Sequence, residues 1–197
     1  MASALEQNPL KVAIIVGATR PGRKADTVAD WVRGIAAGRD EAVFEIVDIA
    51  DFALPHFDEA MPPLYGQYAN PHTLKWAEKI GSFDAFVFVT PEYNASIPGV
   101  LKNAIDYLAA EWNDKPAGFV GYGMEGGVRA VGHLRVILED LKVTSVQPAV
   151  ELTLPVDFED FTVFKPSEGK DKQVLAMLDA LVTEARRPKA DAEAEAA

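Results

Sequence analysis

The stretch "AFVFVTPEYNASIPGVLKNAID", residues 85–106, decides the fold. Its first five residues are apolar on both faces of an extended chain, whereas a strand with one wet face alternates apolar and polar residues. A strand over 85–90, buried inside a parallel sheet, is the reading that fits. Residues 98–110 then put Val100, Leu101, Ala104, Ile105 and Leu108 on one helical face, and Pro98 suits a first helical turn. Between strand and helix lies a stiff polar elbow carrying an aromatic ring.

The same alternation repeats outward in both directions. Upstream, "KVAIIVG" (11–17) and "AVFEIVDI" (42–49) read as strands, and 24–37 and 74–80 as helices. Downstream, "AGFVGYG" (117–123) and "SVQPAVELTL" (145–154) are strands, with Pro148 marking an edge position or a bulge. Helices are predicted over 127–141 and 169–186. Five β/α steps give an α/β three-layer sandwich whose five-stranded parallel sheet takes the doubly wound order 2-1-3-4-5. A closed eight-fold barrel would need a longer chain, typically ~250 residues. The expected organisation is a flexible N-terminus over 1–10, one domain over 11–187 and a disordered tail over 188–197. In such sheets ligands sit beyond the carboxyl ends of the strands, at the switch between strands 1 and 3. The loops after strands 1, 3 and 4 should therefore carry the chemistry.

Composition narrows the chemistry. A formal net charge of -11 disfavours nucleic acid and anionic membrane as partners. The absence of cysteine excludes disulfides, thiolate metal sites, iron–sulfur clusters and a cysteine nucleophile. His56, His72 and His133 lack a ligand-like spacing, so no metal centre is expected. The N-terminus has neither the basic region nor the apolar core of a signal peptide, and no apolar run approaches the roughly 20 residues that span a bilayer. A cytoplasmic protein is the expectation.

The loop after strand 1, "GATRPGRKADT" (17–27), concentrates Arg20, Arg23 and Lys24 in an otherwise acidic chain. Cations at a helix N-terminus are unfavourable unless an anion joins them, held by backbone N–H groups and guanidinium forks. A phosphate held by Thr19 and Arg20, with Arg23 as a further contact, is one reading; a solvated turn with clustered charges is the other. Neither the Walker pattern nor the dinucleotide glycine pattern occurs here, which favours a mononucleotide phosphate.

The elbow after strand 3 offers Pro91, Glu92, Tyr93 and Asn94, a flat wall with backbone donors suited to the polar edge of an isoalloxazine ring. Packing by Tyr93 and a turn at Asn94 explain the same residues without a ligand. After strand 4, Tyr122, Gly123, Gly126 and Gly127 precede a helix, and the glycines would let backbone pass under a planar ligand or simply make a turn. Arg129 and Arg135 read as surface salt-bridge formers. Three such loops at one sheet end argue together more strongly than any one of them.

At these residues the sequence resembles the NAD(P)H-dependent FMN reductase family, flavodoxin-like proteins that include quinone, chromate and azo-dye reductases. The motifs are "GATRPGR" (17–23), "FVFVTPEYNASIPGVLKNAIDYL" (86–108) and "KPAGFVGYGMEGGVRAVGHLRVIL" (115–138), within a similarity over about 11–155. The resemblance implies that Thr19, Arg20 and their loop hold the FMN phosphate. It implies that Pro91, Glu92, Tyr93 and Asn94 line the isoalloxazine, with Tyr122, Gly123, Gly126 and Gly127 at its opposite margin. The chain departs from the family at Ala18, where serine is frequent, and at Arg23, where a small polar residue is common. A homodimer or homotetramer is also implied. Tyr107 and Trp112 are candidate interface anchors or core residues, and in the Pro-rich connection 51–72 either Tyr65 or Tyr68 is a candidate cover for a flavin site, its own or a neighbour's.

The expected reaction is hydride transfer from NADPH or NADH to flavin N5 and on to a small-molecule acceptor (free flavin, quinone, azo dye or metal oxyanion) in a ping-pong cycle that needs no catalytic side chain. The competing readings are a one-electron flavodoxin-type carrier, which the acidity suits, and a flavin-binding regulatory protein without turnover.

Overall fold

The computed structural model describes residues 8–188. The expected flexible N-terminus and disordered tail lie outside the described residues, apart from 8–10 and 188. Strands β1 (Leu10–Val16), β2 (Ala42–Asp48), β3 (Ala85–Pro91) and β4 (Pro116–Gly123) alternate with helices α1 (Ala25–Ala36), α2 (Pro71–Gly81), α3 (Gly99–Asp106) and α4 (Val128–Asp140). Two short strands, β5 (Thr144–Ser145) and β6 (Val150–Thr153), follow. The parallel sheet runs β2-β1-β3-β4, with β5 and β6 both against the outer edge of β4. This is the flavodoxin-like order 2-1-3-4-5 expected from the sequence.

The expected continuous strand over 145–154 is corrected to two pieces. Between Ser145 and Val150 the ladder is interrupted at Pro148, since proline has no N–H to give the neighbouring strand. Pro148 therefore marks both the edge and the break. α2 begins earlier than 74 because Pro71 occupies its first turn, where a missing N–H costs nothing.

Side-chain alternation along the strands splits the interior into two layers. Val12, Ile14, Val87, Val89 and Val120 point to α1 and to a last helix, α6 (Lys170–Ala185). Ala13, Ile15, Phe86, Phe88 and Phe119 point to α2, α3 and α4. Tyr107 and Trp112 are fully buried in the second layer, so the choice between interface and core falls to the core. Trp112 satisfies its indole N–H on the Ile105 carbonyl at 3.1 Å, and Trp76 uses the Ala104 carbonyl at 2.8 Å. Buried indoles need such partners, and the end of α3 supplies both.

Two segments were not foreseen. After β6 come a single helical turn, α5 (Leu154–Asp157), and a small hairpin of β7 (Phe158–Glu159) and β8 (Val163–Phe164). It packs on the α1 side of the sheet, with Phe164 edge-on to Trp31 at 5.3 Å and Phe158 at 5.9 Å from Tyr122. The Pro-rich connection is likewise ordered by the chain's own polar groups. Asn103 donates to the Pro55 carbonyl at 2.8 Å and accepts from the Phe57 N–H at 3.0 Å. The Tyr107 hydroxyl meets Asp58 at 2.9 Å, and buried Glu59 accepts from the N–H groups of Ala69 and Asn70 at 3.0 and 2.9 Å.

Candidate functional site

Register brings the three expected loops together. Val16 faces Val89 across β1 and β3, and Pro91 faces Tyr122 across β3 and β4. The loops that leave these strands therefore start side by side at the carboxyl end of the sheet. Gly17 is the pivot of the first: its N–H donates to the Val89 carbonyl at 2.8 Å, and a Cβ there would stand 2.8 Å from the same oxygen. Only glycine lets the chain turn this close to β3.

Beyond Gly17 the loop leaves donors open. The N–H groups of Ala18 and Thr19 donate to no other group of the chain among the described residues, and α1 begins at Lys24 without a side-chain cap. Arg20 is exposed and has no carboxylate partner among the described residues. Arg23 differs. Its guanidinium pairs with Asp48 at the end of β2 and is mostly buried. β1 and β2 are neighbours, so the two residues meet at their ends, and Arg23 joins β2 to the loop while Arg20 alone faces outward. Free N–H groups, an open helix N-terminus and one unpaired guanidinium fit a phosphate, so the residues present suit the anionic tail of FMN.

The elbow after β3 is a tight hairpin. Tyr93 and Ser96 exchange backbone hydrogen bonds at 2.8 and 3.0 Å, with Asn94 and Ala95 at φ +49° and +65° between them. Both central residues are left-handed, the geometry of a type I′ turn. Asn94 tolerates it; Ala95 is strained by about 1–2 kcal/mol. The N–H groups of Asn94 and Ala95 donate to no other group of the chain among the described residues, which leaves them free as a donor edge for a planar ring. Replacing Ala95 with glycine is expected to raise unfolding stability by roughly 0.5–1 kcal/mol, because relief of strain exceeds glycine's added freedom in the unfolded chain. Urea unfolding checks this, and a loss of stability would contradict it.

Glu92 does not present its carboxylate to the open rim. It accepts from the N–H groups of Arg129 and Ala130 at 3.0 and 3.3 Å and from the Arg129 guanidinium at 2.6 and 2.8 Å. Burial alone would raise its pKa; the Arg129 side chain and the two helix N–H groups overcome that and hold it below the usual carboxylate range. The N-terminus of α4 is thus capped from within the chain.

The loop after β4 folds tightly under itself. A Cβ at Gly127, which sits at φ +73°, would come within 2.6 Å of the Tyr122 nitrogen, so this glycine is required by the chain's own backbone. A Cβ at Gly126 would stand 2.9 Å from the Glu151 Cβ, and one at Gly123 3.2 Å from the Glu92 Cβ. Tyr122 is buried on the α1 face of the sheet rather than laid along the rim. Burial, with Tyr93 as the next contributor, pushes its phenol up, while the backbone at Lys24 and the charge of Arg20 act the other way.

Arg129 is the ion-pair former expected of it. Arg135 is not: it lies over the Phe119 ring at 4.4 Å and donates to the Val146 carbonyl at 3.1 Å. Tyr68 donates to Glu111 at 2.8 Å and anchors the long connection, whereas Tyr65 stays exposed. The sequence reading missed two contacts here, the carboxylate cap of α4 and the Ser96 hydroxyl at 3.0 Å from His133 Nδ1. An acidic residue at one strand end beside the helix that follows the neighbouring strand was the available signal.

The chain is similar to known proteins over most of its length. The pattern of the NADPH-dependent FMN reductase family matches residues 10–154. An NAD(P)H-dependent FMN reductase from Schizosaccharomyces pombe is 39% identical over 149 residues, covering 75% of this chain and 74% of its own. A quinone reductase from Escherichia coli K12 is 38% identical over 135 residues, covering 66% and 69%. Among solved structures, a flavoenzyme NAD(P)H:(acceptor) oxidoreductase from Paracoccus denitrificans superposes with a TM-score of 0.69 at 26% identity, covering 89% of this chain and 97% of that one. A Streptococcus pneumoniae flavodoxin, at TM-score 0.55 and 11% identity over 88% of this chain and 99% of its own, shares the fold alone.

Proposed function

This chain belongs to the NADPH-dependent FMN reductase family, and we propose that it transfers reducing equivalents from NADPH or NADH to a small-molecule acceptor through FMN bound at the carboxyl rim of the sheet. The observation that carries the reading is the contrast between two helix starts: α4 is capped by Glu92, while α1 is uncapped beside the unpaired Arg20. FMN supplies the hydride chemistry when bound. The chain's part is to bind and orient. Arg20 and the Ala18 and Thr19 N–H groups hold the phosphate, and the Tyr93–Ser96 hairpin offers its donor edge to the ring. No side chain at the rim is assigned a proton transfer.

Donor and acceptor share one open site in this reading, so turnover is ping-pong, and free flavin, quinones, azo dyes and metal oxyanions all qualify as acceptors. The protein is taken to work in the cytoplasm as a homodimer or homotetramer. Val100, Val128 and Val136 on α3 and α4 are exposed apolar side chains available to such an assembly, and Tyr65, rather than Tyr68, is left to cover a neighbour's flavin. Anaerobic mixing tests the function: NADPH or NADH is expected to bleach the bound flavin, and a quinone added afterwards to restore its colour. Flavin that stays oxidised with both nucleotides overturns the enzyme reading and leaves the electron carrier, which the net charge of -11 suits, and the flavin-binding regulatory protein, which a persistent semiquinone on stepwise reduction would set aside.

A further inference from the structure

We propose that Glu92 is a positioning residue: its carboxylate is a strut that locks the Tyr93–Ser96 hairpin to the start of α4 and so holds the donor edge of the flavin site in place. The inference rests on the reading of the rim as an FMN site, but it concerns what this chain does to itself.

The geometry is specific. Glu92 leaves β3 with its N–H bound to the Tyr122 carbonyl at 2.9 Å, which fixes the residue against β4. Its side chain, 8% exposed, then crosses to α4 and takes two helix N–H groups and the Arg129 guanidinium. A Cβ on Gly123 would lie 3.2 Å from the Glu92 Cβ, so the Glu92 side chain starts out in close contact with β4. One turn further along α4, His133 meets the Ser96 hydroxyl. The hairpin is therefore tied to α4 at both ends, by Glu92 before it and by Ser96 at its close. Between the ties sit Asn94 and Ala95, in a left-handed pair that a free loop would relax. A carboxylate with these partners has its acceptor sites filled, and its role at the rim is to place its neighbours.

A double-mutant cycle on the full chain, read by FMN titration, tests this. Glu92→Ala is expected to weaken FMN binding about tenfold, and Arg129→Met threefold to fivefold, because it removes the guanidinium but leaves the helix N–H groups on Glu92. Coupling is the decisive quantity: the double variant should bind FMN no more weakly than Glu92→Ala alone, since both changes cut one strut. Visible circular dichroism of the bound flavin should change in Glu92→Ala and partly recover in Glu92→Gln, which keeps one acceptor oxygen.

Additive losses, or an Arg129→Met variant with unchanged affinity beside a weakened Glu92→Ala, would make Glu92 a direct flavin contact and overturn the proposal. Unchanged FMN affinity and dichroism in Glu92→Ala would reduce the strut to fold stability and overturn it equally. If Glu92→Ala does not fold, Arg129→Met and Glu92→Gln carry the same comparison, and unchanged affinity and dichroism in both sink the idea. Wild-type protein that binds no FMN refutes the function proposed for the rim, a result distinct from each of these.

Discussion

Arg20→Ala is expected to weaken FMN binding roughly ten- to a hundredfold, the loss of one charge-assisted hydrogen-bonding group at about 1.5–3 kcal/mol. Arg20 is the outward guanidinium of the β1 loop, beside an uncapped helix and two unpaired N–H groups. Being exposed and without an acid partner among the described residues, it supports nothing else in the chain, and the melting temperature should barely move. The measurement is a fluorescence titration with FMN and with riboflavin. Riboflavin lacks the phosphate, so its affinity should be the same in wild type and variant. FMN affinity of the wild type should also fall with added salt, as an exposed ion contact requires. Equal losses for both flavins, or none for FMN, would remove the phosphate from this loop. Arg23→Ala is the contrast: it leaves Asp48 without its guanidinium, and its first effect belongs in stability.

The largest loss of stability is expected from Asp157→Ala, about 3–5 kcal/mol. The Asp157 carboxylate is buried and collects the Thr153 N–H at 2.7 Å, the Ser167 N–H at 3.0 Å and the Ser167 hydroxyl at 2.7 Å, with Lys170 at 3.8 Å. Alanine would strand these donors where water reaches them poorly, at the joint between β6, the small hairpin and α6. At roughly 2–4 °C per kcal/mol for a chain of this size, melting should fall by roughly 10 °C.

The pH dependence follows from the same contacts. Burial alone would raise the Asp157 pKa, but the Ser167 and Thr153 donors outweigh it and hold the group below its ordinary value. A folded pKa below the unfolded one gives a contribution fully present above the unfolded value, about 3.9, and lost as pH falls through the folded value. The gap in stability between wild type and Asp157→Ala should therefore stay constant from about pH 8 down to about pH 5 and close below about pH 4. A gap that persists unchanged into stronger acid, or a variant as stable as wild type, would contradict this assignment.

Most of the fold was legible in residues 85–106 and their repeats. Near-continuous apolar runs such as "AFVFV" cannot face water on either side, and the helices between them turn one apolar stripe toward the sheet. Right-handed crossovers leave few orders for five such strands. Where the site lies followed from the same logic, since a parallel sheet brings every strand–helix loop to one end. The hairpin over 158–164 was not legible because its strands are two residues each and its anchor, Asp157, works through Ser167 and Lys170. Nor was the break in the last strand, where one proline was compatible with an edge, a bulge or an interruption.

Periodicity and loop composition by themselves determined the layers, the strand order, the rim and its cationic first loop, because each depends on near neighbours along the chain. Tertiary structure alone decided how the rim's charges are used. Arg20 and Arg23 stand three residues apart in one loop, yet Arg23 finds Asp48 across 25 residues and Glu92 finds the start of α4 across 37. Whether a charged group faces a ligand or its own chain depends on which strand ends stand side by side, and that adjacency exists only once the sheet has formed.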